Sequence, residues 1–215
     1  GIGPEGSAIA GLWFLEALNI PAAVADVMSA HLGNGVHLYE HGVISFCNQL
    51  ANDCGVRTGM TVKEAANLLL TVDSHVRAPS ETTNRTIMHT SEDGRHIIAT
   101  DSIAFGTDAD TGKNVLVTAG HTGRSAVPYL LKCSPWGFIC SDGGKGMDNS
   151  GIIGLSIVEK SGLAGATVDA KLARMGSGLS HYYDGVITAV NLHAKSRGVE
   201  IGMSASEASL LLLEK

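Results

Sequence analysis

The sequence has few of the features that identify a function directly. Its four cysteines form no CxxC pair, and aromatic and charged residues make up only 5% and 17% of the 215 residues. Cysteines without metal-type spacing argue against a disulfide framework or a zinc cluster and favour reduced thiols in the cytoplasm. We expect no cofactor and no metal.

A basic run and a long apolar run are also missing. The net charge of −6 argues against nucleic acid and anionic membranes as partners. The apolar runs, such as residues 209–213, are too short to span a bilayer. Apolar residues still make up 44%, which is enough to bury a core. We therefore expect a protein that binds a small molecule.

The most informative feature present is an internal repeat. Residues 1–70 align without a gap onto residues 144–213 at a constant offset of 143, and 27 of the 70 positions are identical. The shared positions include several glycines, Asp26 and Asp169, and Asn48 and Asn191. This pattern predicts a duplicated unit whose two copies are related by an approximate two-fold axis.

The two copies differ in what precedes them. A strand-rich segment of about residues 97–143 leads into copy 2 and has no counterpart before copy 1. We expect its place to be filled by residues 71–103 folding back, by a missing N-terminal segment, or by another chain, which would make the protein a homo-oligomer. The start at Gly1 is interpreted as truncated, processed or permuted.

The pattern of runs predicts an α/β fold with a mainly parallel sheet, helices on both faces and two pseudo-symmetric halves. Continuous apolar runs predict buried strands, and short glycine turns into helical periods predict right-handed crossovers. We divide the chain into residues 1–70 as copy 1, residues 71–100 as a connecting hairpin, and residues 101–215 as leading strands plus copy 2, all in one compact unit. The predicted strands are residues 86–89, 96–100, 102–105, 114–119, 137–140 and 164–169; the predicted helices are residues 125–132, 150–160, 186–197 and 204–213, with a long polar loop over residues 175–185.

Three predicted loops follow buried strands and carry most of the candidate site. Ligands of parallel sheets bind outside the carboxyl ends of the strands, so these loops should meet at one edge. We assign His121 as the acid or base, and Asp142 and Asp169 as carboxylates that orient or assist. The predicted substrate-binding residues are Gly120, Thr122, Gly123, Arg124, Ser141, Lys145, Arg174 and Tyr182.

The glycine loops allow a second interpretation. Residues 1–6 match GxGxxG, and Asp26 follows at the spacing found in dinucleotide-binding proteins. Glu5 and Asp148 would repel phosphate there, and the third glycine is Asn149 in copy 2. A tight turn that caps a helix is the alternative explanation. A metal held by His31, His37, Glu40 and His41 is a minor hypothesis, because the spacing lacks a helical zinc pair.

These observations predict an enzyme that acts on a small, polar, anionic metabolite by hydrolysis or a lyase-type step. The competing classes are a nucleotide-binding oxidoreductase of the NAD or FAD type and a non-catalytic ligand-binding or assembly protein. The sequence identifies neither the substrate nor which of the two copies carries the catalytic residues.

Overall fold

The computed structural model describes residues 2–73 and 84–214. Its strands are β1 Ala23–Ala25, β2 Ile44–Cys47, β3 Arg85–Thr90, β4 His96–Thr100, β5 Val115–His121, β6 Gly137–Ser141, β7 Ala164–Val168 and β8 Ile187–Val190. Its helices are α1 Gly11–Ala17, α2 Gly35–His41, α3 Gln49–Asp53, α4 Val62–Leu69, α5 Val127–Cys133, α6 Ile153–Glu159, α7 Gly178–Tyr183, α8 Leu192–Ser196 and α9 Ala205–Glu214. Short 3-10 turns cover Pro4–Ile9, Ile103–Phe105, Asp108–Asp110, Arg124–Ala126 and Met147–Asn149.

Six strands form one mixed sheet in the order β3-β4-β5-β6-β7-β8, and β1 and β2 form a separate antiparallel pair. Strands β4 to β7 run parallel, while β3 and β8 pair antiparallel at the two edges. Every residue of β6 and β7 is buried, as expected for parallel strands covered on both faces. The predicted α/β fold with a mostly parallel sheet is therefore confirmed.

Alternate residues of the central strands enter two separate cores. On one face, Val117 and Ile139 pack with Leu212 of α9. On the other face, Phe138 packs with Leu130 of α5 and Val158 of α6. Helices thus cover both faces of the sheet.

Within the connecting segment of residues 71–100, the predicted hairpin is present over β3 and β4, which pair antiparallel, and β4 continues the parallel sheet. Residues 74–83 of that segment lie outside the described residues. The strand predicted for residues 102–105 is wrong. Ile103–Phe105 forms a 3-10 turn, because the Ser102 side chain accepts a hydrogen bond from the Ala104 N–H and caps the turn.

Two further predictions in copy 2 are wrong. The polar loop of residues 175–185 contains α7, whose first turn is capped by Ser177 through a bond to the Ser180 N–H. The helix predicted for residues 186–197 is β8 followed by α8, since the run from Val186 to Val190 is rich in β-branched residues. Asn191 lies between them as the N-cap of α8 and not mid-helix, and Asn48 caps α3 in the same way.

The elements of residues 2–70 recur in the same order 143 positions later. The pairing of β1 with β2 aligns Ala23 with Cys47 and Ala25 with Ile44, and the pairing of β7 with β8 aligns the residues at the corresponding positions. A capping box of Thr61 and Glu64 begins α4. The origin of this correspondence in a duplication stays a prediction.

The two segments contact one another reciprocally. The Leu32 N–H donates to Ser150 Oγ at 3.0 Å, and the Met175 N–H donates to Ser7 Oγ at 3.2 Å. Leu32 and Met175 occupy one position of the repeat, and Ser7 and Ser150 occupy another. Such exchanged contacts are typical of a two-fold interface.

No strand of the described residues lies beside β1 as β6 lies beside β7. Within residues 2–73 and 84–214, β1 pairs with β2 alone. The suggestion that residues 71–103 fold back to fill this place is wrong for residues 84–103, because β3 and β4 belong to the large sheet. Residues 74–83 of the same suggestion lie outside the described residues.

Candidate functional site

The carboxyl ends of β5 and β6 bring two predicted site residues together. His121, the last residue of β5, is paired in register with Ser141, the last residue of β6. Gly143 lies against His121 so closely that a Cβ on the glycine would come within 2.9 Å of the His121 Cβ. The positive φ of Gly143, 61°, also favours glycine at this position.

His121 is held by its own loop. Its Nδ1 accepts a hydrogen bond from the Gly123 N–H at 2.9 Å. Burial lowers the pKa of the imidazole below its ordinary value of 6.5. Because Nδ1 is an acceptor, a neutral imidazole carries its proton on Nε2, and no group of the described residues bonds Nε2.

The other residues of this turn are structural neighbours of His121. Gly120 lies within β5, and Thr122 is buried with its hydroxyl directed to the Ser141 carbonyl oxygen. Ser141 is buried, and its Oγ accepts a hydrogen bond from the Gly143 N–H at 3.1 Å. The Ser141 hydroxyl thus helps to shape the loop around His121.

Asp142 is buried and fully engaged. Its Oδ1 accepts hydrogen bonds from the Gly144 N–H at 2.8 Å and the Ala170 N–H at 3.0 Å, and its Oδ2 accepts from the Thr188 hydroxyl at 3.1 Å. These bonds tie the loops after β6 and β7 together. Asp142 therefore orients the backbone of these two loops.

Asp169 is half-buried, and its Oδ1 accepts from the Lys171 N–H at 2.8 Å. Asp26 is its counterpart in copy 1, and its Oδ1 accepts a hydrogen bond from the Met28 N–H in the same way. Both carboxylates thus order the loop that follows their strand.

The predicted cationic residues occupy two different places. Arg124 and Lys145 are exposed on the loops beside His121. Arg174 instead donates to Glu5 Oε1 at 2.8 Å, across the contact between the two copies. Tyr182 packs against the core next to α9, and burial raises the pKa of its phenol.

A loop of copy 1 covers the site. The Leu32 side chain packs against Gly143, Gly146 and Gly151, and Gly33 lies against the Ser125 backbone. The copy 2 glycine turn is thus filled by a side chain of the other copy. This packing favours the tight-turn interpretation of the glycine loops over a pyrophosphate site.

Three histidine rings of copy 1 lie against one another, His31 stacked on His37 and His41 tilted against His37. The rings of His31 and His37 lie 4.1 Å apart and those of His37 and His41 lie 4.5 Å apart, while His31 Nε2 meets Asp148 Oδ2 at 2.7 Å. In residues 2–73 and 84–214, no group of three or more His, Cys, Asp or Glu side chains could hold a metal ion. The metal hypothesis for this cluster thus gains no support.

Two features of this part of the fold were not predicted from the sequence: the burial of His181 and a cleft beside α7. His181 on α7 is fully buried, and its Nε2 is one of two buried side-chain polar atoms that lack a partner in the described residues. A cleft of about 380 Å³ between β3, β4 and the start of α7 contains Asp101, whose Oδ1 accepts from the Gly178 N–H. No local motif reveals either, because both depend on α7, which the sequence presents as a loop.

No family model, curated protein or solved structure matches this chain. Among the residues that the structure describes, none of the helices has the length and apolar character needed to cross a membrane. All four cysteines are free, and Cys133 and Cys140 are buried. The site is therefore interpreted from its own geometry.

Proposed function

We propose that the protein is a cytoplasmic enzyme that acts on a small anionic metabolite, by hydrolysis or a lyase-type step, at the carboxyl ends of β5 and β6. One observation carries the proposal: His121 Nδ1 is held by the Gly123 N–H, which leaves Nε2 as the reactive nitrogen at the sheet edge. Polar groups at this edge of a parallel sheet are the usual place for ligand binding.

His121 acts in this proposal as a neutral donor. With its pKa lowered by burial, the imidazole is uncharged at neutral pH. Its Nε2–H can then donate a hydrogen bond to a substrate oxygen and stabilise negative charge that develops there. In this proposal His121 is a neutral hydrogen-bond donor, which is a narrower role than the acid or base expected from the sequence.

Arg124 and Lys145 supply the positive charge that attracts an anion. Both are exposed, and they lie on the segments that follow β5 and β6. Arg174 contributes less to this role, because Glu5 neutralises it. Asp142 and Asp169 keep the loops in shape through their bonds to backbone N–H groups.

The duplication belongs to the same proposal. Equal element order, equal strand register and the exchanged contacts of Leu32 and Met175 support two copies of one unit about a pseudo-two-fold axis. On this account copy 2 carries the chemistry and copy 1 covers it with Leu32. A non-catalytic ligand-binding protein is the second candidate, since both oxygens of the buried Asp142 are already bonded and Asp169 bonds the backbone of its own loop.

Turnover tests the proposal. Phosphate monoesters, carboxylate esters and hydroxy acids would be screened for released phosphate, released alcohol or loss of water. We expect turnover of one class, its loss in His121→Gln, and its retention in His89→Gln, a matched exposed histidine on β3. Equal turnover by the two variants would remove His121 from the mechanism. Ligand binding without turnover by the wild-type protein would favour the second candidate.

A further inference from the structure

A short loop of copy 1, residues 31–33, contacts both segments that lead away from the candidate site. The Leu32 N–H donates to Ser150 Oγ at 3.0 Å, on the segment that follows β6. Gly33 lies against Ser125, on the turn that follows β5, where a Cβ on the glycine would meet the Ser125 nitrogen at 2.9 Å. The loop therefore bridges the segments that follow these two neighbouring strands.

Two further contacts hold copy 1 against the segment that follows β6. His31 Nε2 lies 2.7 Å from Asp148 Oδ2, and the Met147 N–H donates to the Val27 carbonyl at 3.3 Å. Residues 31–33 are thus fixed on copy 2 by backbone and side-chain bonds together. A loop that is held in this way can form part of the wall of a binding site, because its side chains are positioned before a ligand arrives.

The side chain of Leu32 reaches the surroundings of His121. A Cβ added to Gly143 would lie 3.0 Å from Leu32 Cδ1 and 2.9 Å from His121 Cβ. Because both atoms lie within 3.0 Å of one point, Leu32 Cδ1 and His121 Cβ are at most about 6 Å apart. The same Cδ1 lies 3.3 Å and 3.1 Å from the Cβ positions of Gly146 and Gly151. Leu32 thus fills the concave side of the glycine turn and lies next to His121.

Leu32 gives one side of this site an apolar character. It is half-buried and has no polar side-chain atom, whereas His121 Nε2 can donate to an oxygen of a bound anion. A substituent that extends from such an anion toward the glycine turn would collide with the leucine methyl groups, because packed side chains leave little free volume. The leucine therefore limits the size of the groups that fit beside His121.

We propose that Leu32 of copy 1 determines which anions the His121 site of copy 2 accepts. It admits compact anions, with the charged group on a short carbon chain, and excludes anions that carry a bulky substituent next to the charged group. Discrimination by a clash with the larger ligand is a common source of specificity. The inference rests on the proposed function, since it concerns the ligand of the same site.

The repeat supplies a matched control position. Met175 of copy 2 is the counterpart of Leu32, and its N–H donates to Ser7 Oγ at 3.2 Å in the exchanged contact. Met175 is not among the residues closest to Gly143. A substitution at Met175 therefore alters the contact between the copies at the equivalent position without removing the side chain beside His121.

Two phosphate monoesters that differ in their substituent test the proposal: methyl phosphate and phenyl phosphate. Their dissociation constants would be measured at pH 7.5 from the shift of the His121 Nε2 resonance. We expect the wild-type protein to bind methyl phosphate at least about tenfold more tightly than phenyl phosphate. Leu32→Ala should reduce this ratio to below about threefold, because phenyl phosphate then binds more tightly.

Three further variants make the test specific. Leu32→Met keeps the side-chain volume and should keep the wild-type ratio, as should Met175→Ala. Leu32→Val should give an intermediate ratio, and it replaces Leu32→Ala if that variant fails to show a cooperative thermal unfolding transition. Equal affinities for the two esters in the wild-type protein, or an unchanged ratio in the Ala and Val variants, would overturn the inference alone. If neither ester shifts the His121 resonance, the anion site of the proposed function fails and the inference fails with it.

Discussion

His31 Nε2 lies 2.7 Å from Asp148 Oδ2, and the same two repeat positions, with the copies exchanged, place Arg174 2.8 Å from Glu5. In the first pair copy 1 supplies the imidazole and copy 2 the carboxylate. In the second pair copy 2 supplies the guanidinium and copy 1 the carboxylate. A contact that recurs with its partners exchanged constrains how the two copies face each other. The same contact gives Arg174 a carboxylate partner, Glu5, in the other copy.

The Arg174–Glu5 pair should contribute little to stability. Both side chains are at least half exposed, and exposed ion pairs typically contribute about 0.2–1 kcal/mol. We expect Arg174→Gln to lower the free energy of unfolding by less than about 1 kcal/mol in urea titrations. The same variant should bind inorganic phosphate like the wild-type protein, whereas Arg124→Gln should bind it more weakly. The reverse order would restore Arg174 to the site.

Asn191 should be among the most sensitive polar residues. Its side chain accepts from the Ala194 and Gly165 N–H groups and donates to the Leu163 carbonyl, all in the interior. Loss of a cap and of buried bonds predicts that Asn191→Ala costs about 2–4 kcal/mol. Asn48→Ala removes the corresponding bonds in copy 1, where the surroundings are more exposed, and should cost less. Thermal unfolding of both variants measures the difference, and a greater loss for Asn48→Ala would contradict it.

Asp110 is a buried carboxylate whose partners keep it charged. Burial alone would raise its pKa, but hydrogen bonds from Arg85, Asn114 and Thr107 outweigh burial and hold the pKa below its ordinary value. This stabilisation is complete above the unfolded pKa near 3.8 and is lost as the pH falls through the folded value. We expect Asp110→Asn to cost about 3–5 kcal/mol at pH 7, because it leaves Arg85 without its counter-charge.

Asp108→Asn is the matched control for that substitution, since Asp108 is exposed on the same 3-10 turn. Its free energy of unfolding should stay within about 0.5 kcal/mol of the wild-type value. Equal losses in the two variants would show that the turn is sensitive to any neutral residue.

His181 should make the fold sensitive to mild acid. Burial lowers its pKa below 6.5 despite the Ser177 and Arg174 backbone groups and the charges of Asp142 and Asp101. The unfolded chain therefore takes up this proton at a higher pH than the folded chain does, and stability falls as the pH drops below about 6.5. We expect this pH dependence to be shallower in His181→Leu. Leucine is chosen because Leu38 occupies the corresponding position of copy 1. A melting-temperature profile as steep as that of the wild-type protein would contradict the assignment.

The sequence alone predicted the strands that are buried on both faces and a helix with a regular spacing of apolar residues. The apolar runs of β5, β6 and β7 could be identified because both faces of these strands are buried, and the 3.6-residue period of apolar residues identified α6. Helix α7 could not be found in this way. It is short and polar, and it is placed by the close approach of Gly178 to the Thr100 backbone, a contact between residues far apart in the chain.

The candidate site could likewise be predicted only in part from the sequence. Topology indicated that His121 and Ser141 end neighbouring strands, and the pairing of β5 with β6 places them side by side. The partners of Asp142 could not be predicted, because Ala170 and Thr188 approach it only after β7 and β8 have formed. The contact of Arg174 with Glu5 likewise depends on how the two copies face each other.

The tautomer of His121 tests the central claim most directly. Two-dimensional NMR that correlates the ring nitrogens and carbon-bound protons, recorded at pH 7.5 and assigned with His121→Gln, reports which nitrogen carries the proton. The account predicts a neutral ring that is protonated on Nε2, because Nδ1 accepts a hydrogen bond from the Gly123 N–H. It also predicts that the Nε2 resonance shifts when inorganic phosphate is added, because the anion would bind at this nitrogen. A ring protonated on Nδ1, or a charged imidazolium at that pH, would contradict it.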